Sequence, residues 1–93
     1  YGGFSFASVD KPNVVLETIK RAEDGRGVIL RLDEGENKRT FAKLSLAQTP
    51  KSVVECDLLE NDERQIEISE NGFAFNIKPY EIKTLRIKFA HGF

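Results

Sequence analysis

Apolar and polar residues alternate with a period of two along most of this chain. Eight short segments carry the pattern, at residues 4–9, 14–22, 27–33, 40–48, 52–58, 64–70, 73–78 and 82–89. Val28, Leu30 and Leu32 share a face opposite Arg31 and Asp33. Ala42, Leu44 and Leu46 share one opposite Lys43 and Ser45. Val54, Cys56 and Leu58 repeat the arrangement, as do Leu85, Ile87 and Phe89 against Thr84, Arg86 and Lys88. Each set predicts a strand with one buried and one solvated face.

The breaks between segments are polar. Glu23–Gly27 and Asp33–Asn37 are glycine-bearing loops, Leu59–Glu63 is an acidic turn, and Pro12, Pro50 and Pro79 sit at segment edges. Asn71-Gly72 predicts a two-residue hairpin turn, because both residues tolerate positive φ. That turn would set Ile68 against Phe75 and Ile66 against Ile77 on one face, with Glu67 and Asn76 on the other. Residues 13–22 admit two readings. Asp10-Lys11-Pro12 could cap a helix carrying Val15, Ile19 and Ala22 on one side. The density of β-branched residues favours a strand with Val14, Leu16 and Thr18 on one face and Val15, Glu17 and Ile19 on the other. The expected fold is all-β: an antiparallel two-layer, Ig-like β-sandwich of seven or eight strands.

Composition narrows the function classes. A chain of 93 residues is one small domain, and 40% hydrophobic with 31% charged residues argues against disorder. Lys and Arg total 14 against 15 Asp and Glu, a balance that leaves no basic face for nucleic acid. No apolar run approaches the roughly 20 residues that span a bilayer, so no membrane partner is expected. The chain has no Met, as expected of a polypeptide excised or processed from a longer one. Cys56 is the single cysteine, which excludes an internal disulfide and fits a reducing compartment. With no secretory signal at the start, the expectation is a cytoplasmic protein.

Candidate chemistry is sparse. The carboxylate pairs Glu23/Asp24, Asp33/Glu34 and Asp62/Glu63 lie in turns, where adjacent acids read as solvated rather than as two groups flanking a sugar. Asp57, Glu60, Asp62 and Glu63 supply oxygens for a hard cation but lack an alternating, glycine-hinged ligand loop. Zinc needs several His or Cys ligands, and the chain offers only His91 and Cys56. His91 lies in the tail, and Cys56 reads as a small core residue on the apolar face of its strand. Most of the seven Phe fall on apolar positions and read as core, while Tyr80 beside Pro79 reads as exposed to a partner. Tyr1-Gly2-Gly3-Phe4 matches the start of the enkephalin peptides, but it runs directly into a strand and reads as coincidence. No catalytic, cofactor-binding or metal-binding residue is assigned.

Two blocks carry a resemblance. Asn13-Val14-Val15-Leu16, Ile19-Lys20-Arg21-Ala22-Glu23-Asp24 and Ile29-Leu30-Arg31-Leu32 form the first. Pro79-Tyr80-Glu81-Ile82-Lys83-Thr84-Leu85 forms the second. In order and spacing they resemble the C-terminal β domain of glycoside hydrolase family 38 α-mannosidases. One departure is Asp33, where the family pattern has an aromatic residue. The resemblance implies a non-catalytic C-terminal accessory domain, residues 1–93, of a larger retaining enzyme that hydrolyses terminal α-mannosides. It implies a carboxylate nucleophile, a second carboxylate as acid/base and a zinc ion, all in a catalytic domain outside these residues. The implied partners are the preceding domains of the same polypeptide. An independent carbohydrate-binding module and an Ig-like interaction domain are the alternatives, and an exposed aromatic platform would distinguish the first of them.

Overall fold

A computed structural model describes residues 7–22 and 27–89. The eight strands are β1 (Ala7–Val9), β2 (Val14–Arg21), β3 (Val28–Glu34), β4 (Thr40–Leu46), β5 (Ser52–Cys56), β6 (Asp62–Ile66), β7 (Gly72–Ile77) and β8 (Ile82–Lys88). They form a three-stranded sheet in the order β1-β4-β7 and a five-stranded sheet in the order β2-β3-β8-β5-β6. Every pairing between them is antiparallel. Val28, Leu30, Leu32, Leu85 and Ile87 of the larger sheet pack into one core with Ala42, Leu44, Phe73, Phe75 and Ile77 of the smaller. The two-layer sandwich follows from alternation, because each sheet has one apolar face that only the other can cover.

Three details depart from simple alternation. The ambiguous segment is strand over Val14–Arg21, as the β-branched residues favoured, but a bulge between Leu16 and Thr18 shifts the register. The extra residue reverses the phase, so Ile19 sits opposite the core residue Leu30 and packs inward after Val14 and Leu16. In β5 the core residue is Val53, aligned with Ile87, while Val54 and Cys56 align with Arg86 and Thr84 on the outer face. The expected inward set of Val54, Cys56 and Leu58 is therefore wrong, and Leu58 is exposed.

The third departure is the expected hairpin. β6 pairs with β5, β7 pairs with β4, and the chain crosses between sheets at residues 67–71. Ile66 faces Val53 rather than Ile77, and Phe75 faces Ala42 rather than Ile68. A tight turn exists one residue earlier, at Glu70-Asn71, closed by paired hydrogen bonds between Ser69 and Gly72. Glu70 takes a left-handed φ of 57° there. Ile66 and Ile68 still meet the core that Phe75 and Ile77 line, but from the opposite sheet. Alternation alone does not distinguish a cross-strand neighbour from a cross-sheet one.

Five connections cross between the sheets, and three of them gather at one end: residues 10–13, 35–39 and 78–81. The Glu34 carboxylate sits where they meet, fully buried. Its Oε2 accepts hydrogen bonds from Asn13 Nδ2 (2.8 Å) and the Glu36 amide (2.9 Å). Its Oε1 accepts from the amides of Lys38 (3.1 Å) and Tyr80 (2.9 Å). Asn13 also donates to Thr40 Oγ1 at 2.7 Å, and the Gly35 amide donates to the Asn13 carbonyl at 2.9 Å. Burial alone would raise the pKa of Glu34. The donors from Tyr80, Asn13, Glu36 and Lys38 outweigh that and lower it to about 2. The expectation of a solvated turn at Asp33/Glu34 is thus wrong for Glu34, which ends β3 pointing inward.

At the other end β7 runs closest to β4 at Gly72. A Cβ built there would collide with the Leu44 carbonyl oxygen of the paired strand. Asn71 ties the same crossing to β4, donating from Nδ2 to the Leu46 carbonyl at 2.6 Å while its own carbonyl accepts from the Leu46 amide at 3.0 Å.

Two stability predictions follow from these ends. Glu34 has a folded-state pKa below its ordinary 4.5, so its contribution is present above that value. It is lost as the pH falls from 4.5 towards about 2. Glu34→Gln places an N–H₂ among donors, so it should lower the melting temperature at pH 7 by more than about 5 °C. The same variant should flatten the acid limb of a melting-temperature profile. Gly72→Ala should cost about 1–3 kcal/mol in urea unfolding through the clash with Leu44, with the m-value unchanged.

Candidate functional site

The outer face of the five-stranded sheet holds the densest cluster of ionisable groups. The loop from Asp57 to Asn61 folds over it. Asp57 organises this loop as a side-chain cap: Oδ1 accepts from the amides of Leu59 (2.8 Å) and Asn61 (2.9 Å), and Oδ2 from Asn61 Nδ2 (3.1 Å). These bonds, chiefly from Asn61, lower the pKa of Asp57. Glu60 takes a φ of 67° at the turn and points its side chain back to the sheet, 2.9 Å from Lys20 Nζ.

Beneath the loop lies Arg86, only 1% exposed although it stands on the face expected to meet solvent. Its Nε donates to Asp62 Oδ1 at 2.9 Å, and its guanidinium donates to the Glu60 carbonyl at 2.7 Å. Arg31, one strand over, donates to the Leu58 carbonyl at 3.3 Å. Cys56 borders this group, with Sγ 3.4 Å from Asp62 Oδ1. Burial first, then Asp62, pushes its thiol up to about 11, despite Arg86 acting in the opposite sense. Cys56 is buried as expected, but on the outer face rather than in the central core. Its protonated, shielded thiol is a poor nucleophile.

The acidic cluster divides among separate partners. Asp57 serves its own loop, Glu60 pairs with Lys20, and Asp62 holds Arg86. Glu63 is exposed at the bulge of β6. Among the described residues, no group of three His, Cys, Asp or Glu side chains is placed to hold a metal ion. The pairs of adjacent acids fare no better. Asp33 points outward and Glu34 inward, as successive residues of a strand must. Glu23/Asp24, His91 and Tyr1–Phe4 lie outside the described residues.

The structure does assemble one carboxylate pair that sequence spacing did not single out. Glu17, the extra residue at the β2 bulge, lies close to Asp33 of the neighbouring strand, whose carboxyl raises its pKa. Both groups sit on an open sheet face and not in a sugar-sized cleft. A bulge adds one residue and so places Glu17 beside Asp33; simple alternation carries no signal for it. Arg86, Glu34 and Asn13 were also missed as buried partners, each being polar within an otherwise ordinary strand or loop pattern.

The remaining surface offers little for sugar. A cavity of about 170 Å³ opens between Lys43, Ser45, Asn71 and Ala74 on the smaller sheet, below the roughly 300 Å³ at which ligand pockets begin. Phe73 and Phe75 are core residues with ring centroids 5.9 Å apart. Two described aromatic residues are strongly exposed, Phe41 on the outer face of the smaller sheet and Tyr80 on the β7–β8 turn. No two exposed rings share a sheet face among the described residues.

Known proteins match this sequence. Residues 13–85 match the family model of the glycosyl hydrolases family 38 C-terminal beta sandwich domain. Alpha-mannosidase G of Dictyostelium discoideum is 34% identical over 89 residues, and human alpha-mannosidase 2C1 is 31% identical over 87. Each match covers 88% of this chain and 8% of the relative, so the chain spans only a small part of the length of these curated proteins. The chain belongs to the glycosyl hydrolase family 38 C-terminal β-sandwich domain family.

Proposed function

We propose that residues 1–93 act as a non-catalytic accessory domain of an α-mannosidase-like glycoside hydrolase. The domain packs on preceding domains of the same polypeptide and supports the part that hydrolyses terminal α-mannosides. The observation carrying this is the pairing of near-complete coverage of this chain with 8% coverage of α-mannosidase relatives. The geometry agrees with it. The best-buried carboxylate, Glu34, is saturated by four donors and holds loops together. In this reading the catalytic carboxylates and the zinc implied by the family belong to the rest of the parent. A cytoplasmic location is part of the same proposal, supported by a single cysteine kept as a buried free thiol.

Deletion of this domain from the full-length parent tests the proposal. The truncated enzyme should lose at least about tenfold in kcat/KM on an aryl α-mannoside, or melt at a distinctly lower temperature. The 93-residue chain alone should give no turnover, with or without added zinc. Zinc-dependent turnover by the isolated chain, or a truncated enzyme unchanged in both rate and melting, would overturn it.

A further inference from the structure

Six large apolar side chains are strongly exposed among the described residues, between 44% and 82%. Four of them lie on or over the outer face of the larger sheet, and Tyr80 sits on the turn that leads into it. The register places Val15 opposite Asp33 and Asp33 opposite Ile82, so Val15 and Ile82 flank Asp33 in one row across the outer face of the larger sheet. Leu58 and Leu59 crown the Asp57–Asn61 loop, whose base Arg31 and Arg86 tie to the same face. Tyr80 lies two residues before Ile82, on the turn that leads into β8. Phe41 is the exception, on the outer face of the opposite sheet.

We infer that this region, with Val15, Ile82, Leu58, Leu59 and Tyr80 as its apolar contacts, is the surface by which the domain docks on the preceding part of its own polypeptide. The assignment rests on the accessory-domain proposal above.

Three observations carry it. First, these side chains are exposed on ordered supports rather than on slack loops. Leu59 rides a turn capped by Asp57, and Tyr80 holds a φ of 58° while its amide is anchored on Glu34. A non-glycine residue in the left-handed region costs free energy and persists where surroundings over-determine it. Fixing apolar groups before contact reduces the ordering cost of an interface.

Second, the row places Asp33 between Val15 and Ile82, an acid that an arriving cation would pair with, and Glu17 lies close by. The partner face is therefore apolar with a Lys or Arg at its centre. Third, the chain spans 8% of the length of the relatives it matches, so on the accessory-domain proposal a much larger covalently joined body is at hand. Tethering raises the effective concentration of such a body and lets a modest patch suffice.

Thiol footprinting of the full-length parent tests the surface. Cys56 is buried and its thiol stays protonated, so it contributes little background. L59C and F41C variants would be treated with a maleimide and the modified peptides quantified by mass spectrometry. Position 59 should react at least tenfold more slowly than position 41. Equal rates, or a slower rate at 41, would overturn the assignment. So would protection at 59 that vanishes when a dimer is diluted, because the surface would then belong to a second copy.

A double variant, Val15→Thr with Ile82→Thr, keeps both residues β-branched and should lower the melting temperature of the parent by several degrees. No change in melting would count against the docking row. If deletion of the domain damages the enzyme but position 59 labels freely, this inference alone fails. If deletion is harmless, the accessory-domain proposal fails first.

Discussion

The fold hangs on one buried charge. Glu34 ends a central strand, yet its carboxylate faces the inside of the sandwich, where an unpaired charge would be prohibitively costly. Four donors satisfy it, and they come from all three crossings at that end of the molecule: Asn13 from the first, Glu36 and Lys38 from the second, Tyr80 from the third. A sandwich held by apolar contact alone leaves its two sheets free to slide and its crossings free to fray. A single anion that needs all of its donors at once removes that freedom. The same charge fixes the backbone of Tyr80 in a conformation that the residue would not choose alone.

This explains why two distant blocks of sequence signal one family. The Asn13 block and the Pro79-Tyr80-Glu81 block lie far apart along the chain. In the structure both close on Glu34: the Asn13 side chain and the Tyr80 amide bond its carboxylate, while the Glu34 amide donates to the Glu81 carbonyl at 3.0 Å. The resemblance was therefore recognisable from residues that share one physical task. Asp33, the departure from the family pattern, belongs instead to the outer row with Val15 and Ile82.

The strands were legible because alternation is a local property. Val28, Leu30 and Leu32 could be assigned to one buried face without knowing their partner. What was not legible depends on two elements at once. Ile66 and Ile68 match Phe75 and Ile77 equally well across a hairpin or across a core, and only the sheet assignment decides between them. Val53 and Val54 compete for the core on equal terms, and the alignment of β5 with Ile87 of β8 settles the phase. Thr84 and Arg86 read as solvent-facing because a strand pattern says which face a residue takes, not what covers it. The cover is the Asp57–Asn61 loop, whose acids looked like a solvated turn or a cation site. Glu60 and Asp62 are committed to Lys20 and Arg86.

Lys83 is buried but pairs with Glu55 at 3.0 Å, and Glu55 also accepts from Arg64 at 2.8 Å. Arg86, Glu60 and Glu34 are likewise matched within the domain. A catalytic carboxylate needs a protonation state that can change with the reaction, and hydrogen bonds from several fixed donors oppose that change. Glu34, lowered to about 2, is held as an anion and has no proton to give at neutral pH. Its ionisation is spent on architecture. What the described residues leave exposed is a set of large apolar side chains on strands and turns, with the acids Glu17 and Asp33 close to them. Such features lower the free energy of the molecule only when another surface meets them. On the accessory-domain proposal, that other surface is a neighbouring part of the same polypeptide.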